Sequence, residues 1–203
     1  MTTIQTIKTT LLAFVALFGM QTMKAAERFV NFSQGDLLLN PQKQVTITTD
    51  EADFKAVDIA VHALAADFGR VTGQDAVLQH QADAKIIVGT IGHSKYIDRL
   101  AKKKLIDATQ LKGKREKFII TTVGKQLIIA GSDRRGTVYG IYERSAQMGV
   151  SPWYYWADVP TERHEEIYVN RGIYTDGEPA VAYRGIFLND EAPCLSTWIK
   201  NTF

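Results

Sequence analysis

The residues with the clearest chemical potential lie in the stretch YRGIFLNDEAP, at 183–193. An apolar run, Ile186 to Leu188, is followed directly by an amide and two carboxyl groups, those of Asn189, Asp190 and Glu191. In parallel α/β architectures, polar residues that follow buried strands meet at one edge of the sheet and form the site. Paired carboxyl groups suit glycosidic bond cleavage, in which one donates a proton and the other activates water or attacks carbon.

Asp190 and Glu191 cannot fill both of those roles across one bond, because successive strand residues point to opposite faces. At most one of them would belong to a catalytic pair, and its partner would come from elsewhere in the protein. In the alternative interpretation, Asp190 or Glu191 caps a following helix, with Pro193 near its first turn. The residue types alone do not separate these two interpretations.

A second candidate is the aromatic stretch SPWYYWADVP at 151–160, which includes Trp156. One interpretation is a connection whose aromatic side chains are buried between two domains. The other is a wall of a sugar site that includes Trp156, because aromatic faces stack on the apolar faces of pyranose rings. The two interpretations are compatible.

Two glycines in the turn GSDRRG, Gly131 and Gly136, have the spacing of a phosphate-binding loop. That loop requires Lys and then Ser or Thr after the second glycine, whereas Thr137 and Val138 stand here. The turn is better interpreted as a strand-to-helix connection whose arginines face solvent or a neighbouring domain.

Several strands would position these residues. Short β-branched or apolar runs predict them at RFVNF, VTITTD, KIIVGT and EEIYVN. KFIITTVGKQLIIAGSD predicts two strands joined by a two-residue turn at Gly124 and Lys125.

Three helices are predicted between the strands. The first is capped by Asp50, with Asp53 in its first turn and Gly69 at the position just past its end. Its buried face is predicted from apolar residues three or four positions apart, namely Val57, Val61, Leu64 and Phe68. The second runs from about His93 to Lys104. The third begins at Ser132 or Asp133 and has apolar positions at Val138, Ile141, Tyr142 and Ser145 or Ala146. Together the elements predict a small α/β layer domain at 27–150, with a mixed sheet and helices.

The composition is that of a soluble globular protein, with 45% hydrophobic and 23% charged residues. A formal net charge of +2 and the absence of a long basic run give no reason to expect a nucleic-acid partner. Residues 1–26 carry Lys8, an apolar run from Leu11 to Met20, and a final pair of alanines. This order predicts a signal peptide, and therefore a periplasmic or extracellular protein with no membrane segment in its mature form.

The stretches GSDRRGTVYGIYERSAQMGVSPWYYWADVP and YRGIFLNDEAP resemble the N-terminal region of glycoside hydrolase family 115, the xylan α-1,2-glucuronidases. The likeness covers most of 27–203 and is most specific over 131–203. It implies an exported enzyme whose first, non-catalytic α/β module precedes a (β/α)8 barrel that carries the active site. The reaction implied is inverting hydrolysis that removes glucuronic acid or its 4-O-methyl ether from xylan, with no cofactor and no metal.

In this mapping, residues 151–182 form an aromatic-rich connection, and 183–203 begin the barrel with its first strand. Asn189, Asp190 and Glu191 match the family's Asn-Asp-Glu motif at the mouth of the pocket, where they would help to hold the uronic acid. A complete barrel needs about 250 residues. We therefore expect an N-terminal fragment, produced by truncation, frameshift or an incomplete gene model. It would be inactive alone and would lack the general acid and base.

Two other classes of function stay open. One is a stand-alone carbohydrate-binding module that uses the aromatic residues at 153–156. The other is a structural or interaction domain whose aromatic stretch contacts a barrel encoded elsewhere. The sequence predicts no oligomeric state.

Overall fold

The computed structural model describes residues 29–187 and 194–202. Its nine strands are β1 (Val30–Asn31), β2 (Leu37–Leu38), β3 (Thr46–Thr48), β4 (Val77–Gln79), β5 (Ile86–Thr90), β6 (Phe118–Val123), β7 (Gln126–Gly131), β8 (Tyr168–Val169) and β9 (Ile173–Tyr174). Its α-helices are α1 (Lys55–Thr72), α2 (Lys95–Lys102), α3 (Arg134–Gln147), α4 (Tyr154–Ala157) and α5 (Cys194–Thr202). Two short 3₁₀ helices lie at Pro41–Lys43 and Ala108–Gln110. No described helix is long and apolar enough to cross a membrane.

The main sheet has six strands in the order β4-β3-β5-β7-β6-β9. The first four strands in this order run parallel, whereas β6 is antiparallel to both β7 and β9. A second sheet of three short antiparallel strands has the order β1-β8-β2. The predicted α/β class with a mixed sheet is therefore confirmed.

Strand β5 shows why the main sheet holds the core. All five of its residues are buried, since helices cover both faces of the sheet. Ile86 and Val88 pack on one side with α1 and α3, and Ile87 packs on the other side with α2. The neighbouring strand β7 alternates in the same way, so the two hydrophobic clusters are separated by the sheet itself.

The β6–β7 hairpin matches its prediction closely. Val123 pairs with Gln126, which leaves Gly124 and Lys125 as the two turn residues. Gly124 has a φ of 60°, a left-handed conformation that suits glycine at this turn position.

The predicted ends of the first helix are wrong at both sides. The helix begins at Lys55, after Phe54 as its N-cap, so neither Asp50 nor Asp53 lies in its first turn. It runs past Gly69 and ends at Thr72, because Gly73, with a φ of 87°, is the glycine that adopts the left-handed conformation.

The predicted face of the third helix is also partly wrong. Asp133 is its N-cap, as expected, but Tyr142 is exposed and Arg144 is fully buried. Gly140 allows the helix to lie close to the sheet, since an added Cβ would stand 3.0 Å from Ile129 and 3.1 Å from Phe118. This contact fixes which side of the helix faces inward, and it places Arg144 there.

Residues 183–187, where the sequence indicated a short buried strand, belong to no strand in the described structure. Tyr183 is 95% exposed, and Ile186 and Phe187 are also largely exposed. A buried strand needs neighbours that complete its hydrogen bonds and cover both faces, and the described part of the chain supplies neither to this segment. Strands β8 and β9 also lie after residue 150, but they are paired: β8 belongs to the three-stranded sheet and β9 to the six-stranded sheet.

Candidate functional site

The carboxyl edge of the parallel strands is the first place to look for a site in this fold. The chain passes from β3 to β4 on one side and from β5 to β7 on the other, so the topology switches between β3 and β5. Ligands of open α/β sheets bind in the crevice at such a switch point.

Two carboxylates of the chain itself, those of Asp50 and Asp53, line this crevice and accept hydrogen bonds from backbone amides there. Asp50 follows β3, and its Oδ2 accepts a hydrogen bond of 2.7 Å from the backbone N–H of Lys95, at the start of α2. Asp53 Oδ2 accepts a bond of 2.7 Å from the backbone N–H of Thr90, at the end of β5. The N-terminus of α2 therefore already has the anion that its free amides and dipole favour.

The ionisation of Asp50 is consistent with this structural role. Burial opposes the charged form, but hydrogen bonds from the backbone amides of Lys95 and Ala52 outweigh it and hold the pKa below its ordinary value. The Nζ of Lys95 adds a contact of 3.3 Å to Oδ1. A carboxylate held ionised by these donors has little basicity left for proton transfer.

The GSDRRG turn closes the N-terminus of α3 in the same manner. Asp133 accepts hydrogen bonds from the backbone N–H of Gly136 at 2.8 Å and of Glu116 at 2.7 Å. An added Cβ at Gly131 would lie 2.1 Å from the backbone N of Thr137, and one at Gly136 would lie 2.3 Å from a backbone oxygen. Close packing thus explains both glycines, and an aspartate occupies the position that a phosphate would need.

The two arginines of this turn have different surroundings. Arg134 is exposed, whereas Arg135 donates from Nη1 to Glu116 Oε1 at 2.9 Å. Hydrogen bonds from Arg184 and Arg135 lower the pKa of Glu116, against a smaller opposing effect of burial. No local sequence pattern marks Glu116, whose partner Arg184 is 68 residues away.

The aromatic stretch forms the short helix α4, which ends where Asp158 adopts a left-handed conformation. Trp153, just before it, is 59% exposed. Tyr154 is half-buried, and the guanidinium of Arg70 lies 4.8 Å from its ring centroid. Trp156 lies within α4, but its side chain is outside the described structure, so its predicted contact with substrate stays a prediction.

Asn189, Asp190 and Glu191 lie outside the described residues, and their predicted role in substrate binding also stays a prediction. The structure therefore does not bring the predicted site residues together. Among the residues that it does describe, no group of three or more His, Cys, Asp or Glu side chains could hold a metal ion.

Comparisons with known proteins decide the family. The sequence-family model of the glycosyl hydrolase family 67 N-terminus matches residues 37–144. The sequence-family model of glycosyl hydrolase family 115 matches residues 176–203. The solved structure of BtGH115A, a family GH115 4-O-methyl-α-glucuronidase with specificity for decorated arabinogalactans, is 36% identical, with a TM-score of 0.73. This chain belongs to glycosyl hydrolase family 115.

The alignment with this family 115 structure covers 83% of the chain but only 22% of BtGH115A, so the chain spans about a fifth of that protein's length. Two other structures align less well. Flavobacterium johnsoniae chitobiase has 13% identity and a TM-score of 0.45, with 81% of this chain and 22% of that protein covered. Streptomyces plicatus N-acetyl-β-hexosaminidase has 11% identity and a TM-score of 0.45, with 78% of this chain and 26% of that protein covered. No curated protein sequence matches the chain.

Proposed function

We propose that this chain is the N-terminal part of an exported family 115 enzyme that removes glucuronic acid, or its 4-O-methyl ether, from a plant polysaccharide by inverting hydrolysis. The observation that carries the proposal is the 36% identity to BtGH115A over 83% of the chain. The family 115 match at 176–203 supports it, since those residues include the Asn-Asp-Glu motif.

The α/β domain acts in this proposal as a non-catalytic support. Inverting hydrolysis needs a protonated carboxyl group and an ionised one about 6.5–9.5 Å apart, with water between them and the sugar. The carboxylates at the carboxyl edge, Asp50, Asp53 and Asp133, are instead occupied by backbone amides. The general acid and base would therefore come from residues outside this domain, and no cofactor is required.

Asn189, Asp190 and Glu191 are the residues that we assign to the uronic acid, at the mouth of the pocket. The side-chain amide can donate to the sugar hydroxyls, and ionised carboxyl groups can accept from them. The polysaccharide is either xylan, as the family resemblance implies, or a decorated arabinogalactan, for which the specificity of BtGH115A is a precedent.

The test is to sequence the DNA downstream of codon 203 and, where it encodes barrel-like βα repeats, to assay the complete enzyme that it encodes together with this chain. It should be incubated with glucuronoxylan and, separately, with a glucuronic acid-decorated arabinogalactan, and the released uronic acid quantified by anion-exchange chromatography. Release from at least one polymer is expected, and Asp190→Asn should weaken it while an Asp83→Asn control should not. If neither polymer yields uronic acid, the proposed activity is wrong.

A second candidate function rests on the exposure of Trp153. An indole that projects from the surface could stack on a sugar ring, as in a stand-alone carbohydrate-binding module. Affinity electrophoresis of the 203-residue chain in xylan gels tests this candidate, because a binding module would be retarded. Loss of retardation in Trp153→Ala would support it, and unretarded migration of the unmodified chain would exclude it for xylan.

A further inference from the structure

The turn before β6, Lys114 to Glu116, has an unusual backbone. Glu116 has a φ of 54°, in the left-handed region that non-glycine residues seldom adopt. Its backbone N–H donates to Asp133 Oδ2 at 2.7 Å, which holds the turn against the start of α3. Such a conformation persists where surrounding contacts determine it, and it aims the Glu116 side chain in one direction.

The Glu116 carboxylate is shared by two arginines from different parts of the chain. Arg135 of α3 donates to Oε1 at 2.9 Å, and Arg184 donates to Oε2. Arg184 also contacts the hydroxyl of Tyr139 at 3.2 Å and lies 5.9 Å from its ring centroid. The other terminal guanidinium nitrogen of Arg184, Nη1, donates to the backbone oxygen of Val181.

Burial distinguishes this arrangement from an ordinary surface ion pair. Exposed pairs contribute little, because water and salt screen them. The Glu116 side chain is only 6% exposed and has a guanidinium on each oxygen, so losing one partner leaves a poorly solvated charge. Charge-assisted bonds of this kind are also stronger than neutral ones.

The neighbouring residues of the same turn contact the same segment. The backbone N–H of Arg115 donates to Glu178 Oε1 at 2.8 Å, and its Nη2 donates to the backbone oxygen of Pro179 at 2.7 Å. Lys114 Nζ lies 3.4 Å from Glu178 Oε2. Residues 178–184 are thus attached to the domain by polar contacts, whereas the large apolar side chains nearby, Tyr183 and Phe187, face solvent.

We propose that the Lys114–Glu116 turn is a docking surface for residues 178–184. In this proposal Glu116 is the positioning residue: it fixes the direction in which the segment matched by family 115, residues 176–203, leaves the α/β domain. Arg135 orients the carboxylate from the domain side, and Arg184 joins it from the segment. A polar attachment leaves the apolar side chains of 183–187 available to another surface. This inference goes beyond the proposed function and does not depend on which glycan is cleaved.

The test measures local release of the segment. Chymotrypsin cuts after aromatic residues and needs several residues in extended, detached form, so cleavage after Tyr183 or Phe187 reports opening of the docked segment. In the purified 203-residue chain, Glu116→Gln should raise the rate of this cleavage about tenfold, since a neutral amide loses the charge-assisted bonds. Arg184→Gln should have the same effect without altering the domain interior.

Three further variants separate positioning from a general role in folding. The double variant Glu116→Arg/Arg184→Glu should be cleaved more slowly than either Glu116→Arg or Arg184→Glu alone. In the double variant the carboxylate comes from position 184 and can pair with the arginines at positions 116 and 135. Arg134→Gln is the matched control for Arg135→Gln, because both arginines are exposed in the same turn and, of the two, Arg135 is the one that pairs with Glu116. Only the change at Arg135 should speed cleavage.

The proposal is overturned if Glu116→Gln and Arg184→Gln leave the cleavage rate at 183–187 unchanged. It is also overturned if Glu116→Gln speeds cleavage equally throughout the chain, since Glu116 would then serve the fold as a whole. Selective cleavage within 178–187, with unchanged thermal unfolding of the domain, is the supporting result.

Discussion

The main sheet and the segment at 183–187 contain the same kinds of residue in opposite surroundings. Ile128 in β7 is completely buried, whereas Ile186 is 83% exposed. Both lie in short apolar runs that the sequence marks as buried strands. The difference shows that an apolar run is buried only where other elements pack against it. In the described part of the chain, such elements cover Ile128 but do not cover Ile186.

The largest expected effect comes from truncating Ile128 to alanine, with the same substitution at Ile186 as its exposed counterpart. Ile128→Ala should lower the free energy of unfolding by about 4 kcal/mol, because it removes a fully packed side chain and leaves a cavity. Ile186→Ala should change it by less than about 0.5 kcal/mol, as exposed positions do. Urea titration followed by circular dichroism measures both, and equal losses would show that the segment is packed after all.

A pair of glycines sharpens the same comparison through overpacking. Gly131→Ala would place a methyl group 2.1 Å from the backbone N of Thr137, and should lower the free energy of unfolding by about 3 kcal/mol. Gly185→Ala meets no atom within 4 Å and serves as the matched control in the segment. Thermal unfolding should show a lower midpoint for the first variant alone. An unchanged unfolding midpoint for Gly131→Ala would disprove the tight strand-to-helix packing.

The completely buried Arg144 differs from the other buried charged residues of the domain, Asp50, Asp67 and Glu116, which have hydrogen-bond partners. Its guanidinium nitrogens have no hydrogen-bond partner in the described part of the chain, and burial lowers its pKa to about 9, so it is still charged at neutral pH. Replacing an unpaired buried charge with an apolar side chain of similar reach removes its desolvation cost. Arg144→Leu should therefore raise the free energy of unfolding by about 2 kcal/mol.

Differential scanning calorimetry checks this prediction through the unfolding midpoint. Arg134→Leu is the matched control, since that arginine is exposed and has no buried charge to relieve. A lower midpoint for Arg144→Leu would mean that the guanidinium has a stabilising partner and that the domain is not closed around it.

Local signals in the sequence predicted the elements whose contacts are close in the chain. The apolar run gave β5, the Gly124-Lys125 pair gave the hairpin, and the position of Asp133 before an amphipathic stretch gave the cap of α3. Each of these depends on residues within a few positions of one another, where propensity and periodicity act directly.

Contacts between distant residues produced the errors. Asp50 resembles a helix cap locally, but its carboxylate serves Lys95, which is 45 residues away. The error at Gly69 has a local cause instead: the helix continues through this glycine, where an added Cβ would lie 1.7 Å from Asp75 Oδ1, and Gly73 ends it. Sequence periodicity contains no information about such approaches.

The candidate site shows the same division. The motif at 189–191 was visible as a pattern of residue types, but the attachment of its flanking segment through Glu116 and Arg184 was not. Those two residues are 68 positions apart, and only the folded sheet brings them together. The family comparison then adds what neither local pattern nor described geometry supplies, namely membership of a family of glycoside hydrolases.

The central claim is that the α/β domain is a closed support without the reacting groups of a glycosidase. The most direct measurement is uronic acid release by the purified 203-residue chain, from both glucuronoxylan and decorated arabinogalactan, after cooperative unfolding has confirmed that the domain is folded. The account predicts no release above that of a heat-denatured control. Sustained release of glucuronic acid or its 4-O-methyl ether by the folded chain would contradict it.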